Sequence, residues 1–201
     1  MKRAELFHPR VFEDTEWAKG YYKRNAANIR RMGKRYVELL QKSGFTGGTV
    51  LDAGCGFGTI PVEIAKAFPD VNITAIDLGE PLLELGKSQA REAGVDDRII
   101  FQIGDVEKLD FPDDSFDLVI NTFMFHIVEN PVTMLNEIER VATVDGRIMI
   151  TDLRRIWLGL FMKKFKTALT MDEALEIIGQ SNLRKGRRAK GLFWLDYFVG
   201  V

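Results

Sequence analysis

The feature that most constrains the fold is a short apolar segment, residues 48–53, followed by three glycines at alternate positions, Gly54, Gly56 and Gly58. A helical pattern begins directly after the third glycine, with apolar residues recurring every three or four positions. Strand, tight turn and helix in this order are the opening unit of a parallel α/β sheet. Glycines in such a turn let the backbone approach a ligand closely and present N–H groups at the start of the helix.

The same alternation continues along the chain. Four further apolar runs are typical of strands that are buried on both faces: 71–77, 98–103, 116–122 and 147–152. Helical patterns lie between them at 80–93 and 131–141, and Asp145-Gly146 indicates a turn before the fifth strand. The pattern therefore predicts an α/β fold, a doubly wound and mainly parallel sheet with helices on both faces.

The two ends of the chain differ from this middle. Residues 16–42 have a helical pattern with no strand before it, which predicts one or two helices over the carboxyl edge of the sheet. A helix is expected at 171–180, and 183–199 contains two strands about Gly191. This last pair predicts a C-terminal β-hairpin.

The length of 201 residues suits a single domain over 1–201. We divide it into an N-terminal helical cap at 1–45, a core at 46–153 and a closing helix with strands at 154–201. The net charge of −1 argues against a generic polyanion binder. The charges are nevertheless unevenly distributed along the chain. The cap holds 11 basic and 5 acidic side chains, the core holds 7 basic and 20 acidic ones, and residues 154–190 hold 10 basic and 3 acidic ones.

The single cysteine, Cys55, cannot form an internal disulfide. The chain therefore suits a reducing compartment, and we expect a cytoplasmic location. The start, MKRAELFHPR, has no apolar stretch behind it. Neither a signal peptide nor a membrane span is expected.

The spacing of the glycines distinguishes between ligands. A dinucleotide-binding turn has its third glycine at the position of Thr59, whereas here that glycine comes one residue earlier. The pattern G-x-G-x-G, with Asp52 two residues before it, resembles the first motif of class I S-adenosylmethionine-dependent methyltransferases. The resemblance covers about residues 46–152 and is closest to the ubiquinone-type and small-molecule subgroup. It implies a Rossmann-like, seven-stranded sheet and S-adenosyl-L-methionine as cofactor, with S-adenosyl-L-homocysteine as product.

The resemblance also implies cofactor contacts at the ends of the first four strands. Asp52 would approach the methionyl ammonium, Asp77 would bind the ribose hydroxyls, and Asp105 would contact the adenine amino group. Glu107 and Asp110 are alternatives to Asp105 because they lie in the same segment. The complete predicted set is Asp52, Gly54, Cys55, Gly56, Gly58, Asp77, Leu78, Asp105, Val106 and Asn121.

Residues for the acceptor are predicted from outside that set. His126 occupies the place of a histidine that recurs in the subgroup after the fourth strand, and it is our candidate for an acid or base. The subgroup's second histidine is replaced by Phe125. We assign no metal ligands.

The basic flanks supply the other acceptor candidates. Tyr21, Tyr22 and Arg24 form either a lid over the cofactor or part of a helix whose aromatic rings pack on the sheet. Arg154 begins a stretch through residue 166 that suits a substrate-covering helix, a dimer contact or a membrane-surface segment. The basic run 184–190 indicates either nucleic-acid binding or a protected edge strand.

The function predicted from these residues is transfer of a methyl group to a small-molecule acceptor by in-line displacement. The basic flanks favour an acceptor that carries negative charge. The alternatives are an RNA or protein methyltransferase, a nicotinamide-dependent oxidoreductase and a non-catalytic cofactor-binding protein. We expect a monomer or a homodimer, and we rank nucleic acid below a small molecule as partner.

Overall fold

The computed structural model of the chain describes residues 13–155 and 168–201. Seven strands form one sheet: β1 Gly47–Ala53, β2 Asp70–Asp77, β3 Ile99–Ile103, β4 Phe116–Thr122, β5 Ala142–Leu153, β6 Arg187–Lys190 and β7 Trp194–Val199. The described residues include five α-helices: α1 Thr15–Lys42, α2 Thr59–Ala67, α3 Glu80–Ala93, α4 Pro131–Val141 and α5 Met171–Gln180. The predicted helices at 80–93, 131–141 and 171–180 are confirmed with the expected bounds.

The strand order is β3-β2-β1-β4-β5-β7-β6. Strands β1 to β5 pair in parallel, whereas β7 runs antiparallel to both β5 and β6. The predicted fold, a seven-stranded and mainly parallel sheet with a C-terminal hairpin, is confirmed. The order of connection reverses between β1 and β4, and such a switch point opens a crevice at the carboxyl ends of the strands.

Helices cover both faces of the sheet. On one face, α1, α2 and α3 share a core with apolar residues of the central strands. On the other face, α4 and α5 share a second core, which includes Leu51 and Val119. Alternate residues of a strand point to opposite faces, so neighbouring positions of β1 and β4 belong to different cores.

Helix α1 is one continuous helix that begins at the N-cap Asp14, whose side chain accepts from the N–H groups of Glu16 and Trp17. The prediction that this segment lies over the carboxyl edge is wrong for its second half. There, Tyr36 and Leu40 are fully buried in the core under the sheet face. Burial of these apolar side chains outweighs a position at the edge, and only the first half of α1 reaches the glycine turn.

The predicted turn at Asp145-Gly146 lies within the bounds of β5, and the chain folds back there, because a Cβ built on Gly146 would lie 2.9 Å from the carbonyl oxygen of Thr143. Phe116 pairs with Ala142, whereas Leu118 pairs with Arg147. The additional residues of β5 are therefore accommodated in an irregularity of the pairing. A bulge of this kind is difficult to distinguish from a turn, because both use Asp and Gly.

Strand β6 lies at the edge of the sheet, and its four residues are exposed. Basic side chains on an edge strand oppose pairing with another chain. A covering helix, dimer contact or membrane-surface segment was predicted from Arg154 through residue 166, and all of that stretch after residue 155 lies outside the described residues. Within the described ranges, no helix is long and apolar enough to span a bilayer. The predicted boundaries of the core, at residues 45 and 153, stay predictions.

Candidate functional site

The glycine turn is attached to the end of β2. The N–H groups of Gly54 and Cys55 both donate to the carbonyl of Ile76, at 2.9 and 2.8 Å. Gly58 is the N-cap of α2 and has φ +72°, and a Cβ built on it would lie 2.6 Å from Cε1 of Phe101. Only glycine fits there, because both the backbone angle and the space exclude a side chain.

Asp77 connects the glycine turn to the loop that follows β2. Its Oδ2 accepts from the Gly56 N–H at 2.8 Å, and its Oδ1 accepts from the Gly79 N–H at 2.9 Å. Burial raises the pKa of this carboxyl, and the backbone N–H donors oppose that rise. A carboxylate can accept about four hydrogen bonds, so these two leave capacity for vicinal hydroxyls.

Asp52, at the end of β1, is also a buried carboxylate, but it differs from Asp77 in its hydrogen bonds. Among residues 13–155 and 168–201, no hydrogen-bond partner reaches either of its oxygens. Burial, with a smaller effect from the charge of Asp77, raises the pKa of Asp52 to about 8. Burial also raises the pKa of the neighbouring Cys55 thiol, which makes it a poor nucleophile. A buried carboxylate without a partner suits a cation that binds beside it.

Asn121, at the end of β4, supplies a second acceptor without a partner. Its Nδ2 donates to the carbonyl of Ala53 at 2.8 Å. Its Oδ1 is buried and has no hydrogen-bond partner among the described residues. The ends of β1 and β4 thus lie next to each other, on either side of the switch point.

An open groove of about 760 Å³ begins beside the end of β2. Leu78 and Ile103 line it, and their side chains are 54% and 61% exposed. Lys19 of α1 and Pro81 of α3 lie on its other walls. Exposed apolar side chains on adjacent strand ends suit a flat apolar ring such as adenine.

In the loop after β3, the carboxylates of Asp105 and Glu107 have different hydrogen-bond partners. Oδ1 of Asp105, which is exposed, accepts from the Glu107 N–H at 2.9 Å. The carboxylate of Glu107 accepts from the N–H groups of Glu129 and Asn130, at 2.9 and 3.1 Å. Glu107 therefore fixes the segment before α4, which favours Asp105 as the contact for adenine. Val106 is 4% exposed and belongs to the core, so its predicted ring contact would use little surface.

The aromatic residues of α1 pack on the glycine turn. Tyr21 and Tyr22 contact the ring of Phe57 edge-on, with centroids 5.6 and 5.2 Å away, and Tyr21 stacks on Trp17 at 5.0 Å. Burial and the nearby charge of Asp77 raise the pKa of Tyr21. These rings are packed, as one interpretation of this segment predicts, and Tyr21 also lies near the carboxylate of Asp77. A lid over the cofactor stays a prediction. Arg24, one turn further on, is exposed.

His126 and Asp152 form a hydrogen-bonded pair, of which the sequence analysis named only His126. Nδ1 of His126 lies 2.6 Å from Oδ1 of Asp152, and the His126 N–H donates to Oδ2 at 3.0 Å. Asp152 is 1% exposed and lies near the end of β5. The sequence did contain a signal for Asp152, because it ends an apolar run, as Asp52 and Asp77 do.

Arg154 lies just past β5, next to the β6–β7 hairpin. Its N–H donates to the carbonyl of Phe193 at 2.8 Å, and its Nη2 donates to the carbonyl of Leu192 at 3.1 Å. The hairpin tip is therefore held at the same edge of the sheet as His126. Predicted roles for Arg154, Arg24, Tyr21 and Tyr22 toward an acceptor stay predictions.

Comparison with known proteins agrees with this arrangement. The family model described as "Methyltransferase domain" matches residues 45–191. A ubiquinone/menaquinone biosynthesis C-methyltransferase of Citrifermentans bemidjiense is 33% identical over 135 residues, which are 66% of this chain and 57% of that protein. The 27-O-demethylrifamycin SV methyltransferase of Amycolatopsis mediterranei is 31% identical over 137 residues, 66% of this chain and 49% of that protein. The chain thus spans about half the length of these relatives.

Solved structures share the fold at lower identity. A methyltransferase of Aquifex aeolicus, described as S-adenosylmethionine-dependent, has a TM-score of 0.70 and 22% identity, covering 80% of this chain and 86% of that chain. A Methanococcus maripaludis protein for which the same kind of activity is proposed has a TM-score of 0.77 and 19% identity, covering 99% and 96%. Family and neighbours imply S-adenosylmethionine as the cofactor, and the carboxylates of Asp52 and Asp77 fit its ammonium and ribose. The match over residues 45–191 shows that this chain belongs to the methyltransferase-domain family.

Proposed function

We propose that this chain transfers a methyl group from S-adenosylmethionine to a small-molecule acceptor by in-line displacement. The observation that carries the proposal is Asp52, a buried carboxylate without a partner among the described residues, beside the glycine turn. A cationic amino-acid group would supply the missing partner. In a nicotinamide dinucleotide site the acid after the second strand also holds a ribose, so Asp77 fits either cofactor. The pyrophosphate at the glycine turn would instead meet the unpartnered carboxylate of Asp52, which disfavours an oxidoreductase.

When bound, the cofactor supplies a methyl group on a positively charged sulfur, and the sulfur leaves as a neutral thioether. The residues around it then have to orient the two reactants and to exclude water. Asp52 would hold the ammonium, Asp77 the ribose hydroxyls and Asp105 the adenine amino group. The aromatic residues of α1 would limit the access of water, and alignment of the two reactants would supply most of the rate.

The position of the basic edge strand favours a small molecule over RNA. Strand β6 is separated from β1 by β4, β5 and β7. Strands in a sheet are about 4.8 Å apart, so β6 lies roughly 19 Å from the glycine turn. The basic side chains of β6 therefore do not border the crevice at the switch point, and edge protection accounts for them.

Two cations near the crevice favour an anionic acceptor. Arg24 is exposed on the part of α1 that reaches the glycine turn. Arg154 lies at the end of β5, where one of its nitrogens donates to the hairpin. An acidic group on the acceptor would be attracted to both.

Calorimetric titration with S-adenosylmethionine and S-adenosylhomocysteine tests the proposal. We expect the native protein to bind both, and we expect Asp77→Ala to bind both much more weakly because ribose contacts are lost. Asp70→Asn is the control, since Asp70 is exposed at the opposite end of β2. A native protein that binds neither compound would overturn the proposed function. Equal affinity in Asp77→Ala would overturn the ribose role.

A further inference from the structure

The tip of the β6–β7 hairpin, residues 191–193, presents two large apolar side chains at the surface. Leu192 is 67% exposed and Phe193 is 37% exposed. Both residues lie outside the predicted cofactor set. Adjacent apolar side chains that stay exposed and are rimmed by polar residues mark an interaction site.

Hydrogen bonds hold the hairpin tip in a defined shape. The Gly191 N–H donates to the carbonyl of Trp194 at 2.9 Å. Arg154 donates to the carbonyls of Phe193 and Leu192, at 2.8 and 3.1 Å. A Cβ built on Gly191 would lie 2.5 Å from Cε2 of Trp194, so the turn packs directly on that indole ring. The exposure of the two apolar side chains is therefore a property of an ordered turn.

Basic side chains lead up to the hairpin tip along β6. Residues 184–195 contain five basic side chains and no acidic one. Arg188 and Lys190 are exposed on β6, and Lys190 directly precedes the tip. Strand residues rise about 3.3 Å each, so Arg188 lies roughly 10 Å from Gly191, about one Debye length at physiological salt. The apolar pair and these cations therefore act on the same partner surface.

The carboxylates on the neighbouring elements have other partners. Asp196 of β7 is buried and forms an ion pair with Arg35. Glu173 of α5 forms an ion pair with Arg155. Asp152 of β5 is buried and accepts a backbone N–H from the segment after β4. These three carboxylates are thus engaged away from the cations of β6.

The hairpin tip lies at the edge of the sheet at which the crevice opens. Strand β7 is antiparallel to β5, and Trp194 at its start pairs with Leu153 at the end of β5. The turn between β6 and β7 is therefore at the carboxyl end of β5, which is adjacent to β4. A surface that contacts the tip lies on the crevice side of the molecule.

We propose that the hairpin tip docks this protein on a membrane surface that carries anionic lipids. Leu192 and Phe193 enter the boundary between headgroups and acyl chains, and the cations of β6 lie against the negative headgroups. Edge protection explains basic side chains along β6, but it does not explain an exposed apolar pair at the end of the strand. RNA would contact the same cations, but its phosphates do not bind an aliphatic side chain such as Leu192. The proposal does not depend on methyl transfer.

Vesicle sedimentation with the full chain tests the proposal. The probes are vesicles of phosphatidylcholine alone and vesicles of a two-to-one mixture of phosphatidylcholine and phosphatidylglycerol. We expect the native protein to sediment with the mixture at low salt, to sediment much less with phosphatidylcholine alone, and to be released at high salt, where charges are screened. No sedimentation with the mixture, or equal sedimentation with both compositions, would overturn the proposal.

A first pair of variants tests the apolar side chains. For Leu192→Ser with Phe193→Ser, we expect the partition coefficient on the mixed vesicles to fall roughly tenfold or more, because apolar area no longer enters the bilayer. The matched control is Val144→Ser with Ile100→Ser, which are 77% and 64% exposed near the starts of β5 and β3, at the opposite edge of the sheet. An unchanged partition coefficient in the first variant, or an equal loss in both, would overturn the role of the tip. Urea denaturation verifies that each variant is folded.

A second pair tests the cations independently of the apolar side chains. For Arg188→Gln with Lys190→Gln, we expect the partition coefficient to fall roughly 5- to 30-fold at low salt. Lys42→Gln with Arg91→Gln is the control, since these exposed cations lie in the last turns of α1 and α3, away from the crevice edge. Equal effects of the two pairs would overturn the role of β6.

Two other partners would give different results. Binding of the native protein to RNA without binding to the mixed vesicles would overturn the membrane proposal. Sedimentation velocity detects self-association through the tip. A native dimer that dissociates in the Leu192→Ser, Phe193→Ser variant, with no vesicle binding, would assign the tip to a second copy of the chain and would also overturn the proposal.

Discussion

Asp52 and Asp152 are both 1% exposed at the carboxyl ends of parallel strands, but their surroundings differ. Asp152 accepts from the backbone N–H of His126 and lies against the imidazole ring. Asp52 has no partner among the described residues, and the pKa of its carboxyl is raised to about 8. An unpartnered buried carboxylate is costly to keep ionised, and a bound cation removes that cost. The difference makes Asp52 the ligand-dependent group of the two.

We predict that cofactor affinity depends on pH through Asp52. Near neutral pH the carboxyl is mainly protonated without ligand, since its pKa is about 8. The ammonium of S-adenosylhomocysteine favours the ionised form, so binding releases a proton. Affinity should rise between about pH 5.5 and 7.5, by up to about tenfold per unit. Calorimetry in buffers of different ionisation enthalpy measures both the affinity and the proton release.

Asp52→Asn should remove this dependence on pH, and Asp70→Asn should leave it unchanged.

The carboxyl of Asp52 also affects the stability of the protein without ligand. Its pKa is higher in the folded state than the ordinary 3.8, so the unfolded chain loses the proton first. The free energy of unfolding should therefore fall as pH rises from about 4 to 8, less so in Asp52→Asn. An unchanged pH slope of affinity in Asp52→Asn would contradict the assignment.

Helix α1 has two roles along its length. Its first half packs aromatic rings on the glycine turn, and its second half is attached to the sheet. There, Arg35 forms an ion pair of 2.6 Å with the buried Asp196, which also accepts from the hydroxyl of Thr151 at 2.8 Å. The Tyr36 hydroxyl lies 3.0 Å from Oγ1 of Thr122 on β4. The second half of α1 thus anchors the first half over the crevice.

Replacing Arg35 should weaken this anchor. Arg35→Met leaves the carboxylate of Asp196 buried without its cation, and only the Arg35 side is partly exposed, at 31% against 1%. We expect the free energy of unfolding to fall by about 1–3 kcal/mol, below the range for a fully buried pair because of that exposure. Urea denaturation measures it. Arg31→Gln is the control, since Arg31 is exposed and should change stability by less than about 0.5 kcal/mol. Equal stability of the two variants would show that the ion pair does not anchor α1.

The whole molecule separates its charges in a way that the net charge of −1 conceals. The acidic core contains the carboxylates that suit a cationic cofactor. Two groups of basic side chains among the described residues differ in their position in the fold. Those of β6 lie at the far edge of the sheet, whereas Arg24 and Arg154 lie near its carboxyl edge. Of these two groups, the second lies closer to the crevice, and its attraction of an acceptor stays a proposal.

Removing both cations should selectively affect an anionic acceptor. For Arg24→Gln with Arg154→Gln, we expect kcat/KM for the anionic model acceptor 4-hydroxybenzoate to fall about 2- to 10-fold at low salt, and that for neutral 4-hydroxybenzyl alcohol to stay unchanged. The difference should disappear at high salt, where exposed charges are screened. Arg188→Gln with Lys190→Gln removes the same charge from β6 and should have no effect. Equal turnover of both acceptors by the first variant and the native protein would count against an anionic acceptor.

The sequence by itself determined the order of strands and helices, the glycine turn and the acids at strand ends. These are local properties, since apolar periodicity and glycine spacing report on neighbours along the chain. Its error along α1 has a different origin, because the position of a helix depends on the face that it buries.

Only the tertiary structure decided which polar groups meet. It paired His126 with Asp152, 26 positions away, and joined Arg35 to Asp196, 161 positions away. It also assigned Glu107 to the backbone before α4 and left Asp52 without a partner among the described residues. Hydrogen bonds and ion pairs act over a few ångströms of space, so contacts between distant parts of the chain are set by the sheet order and not by local sequence pattern.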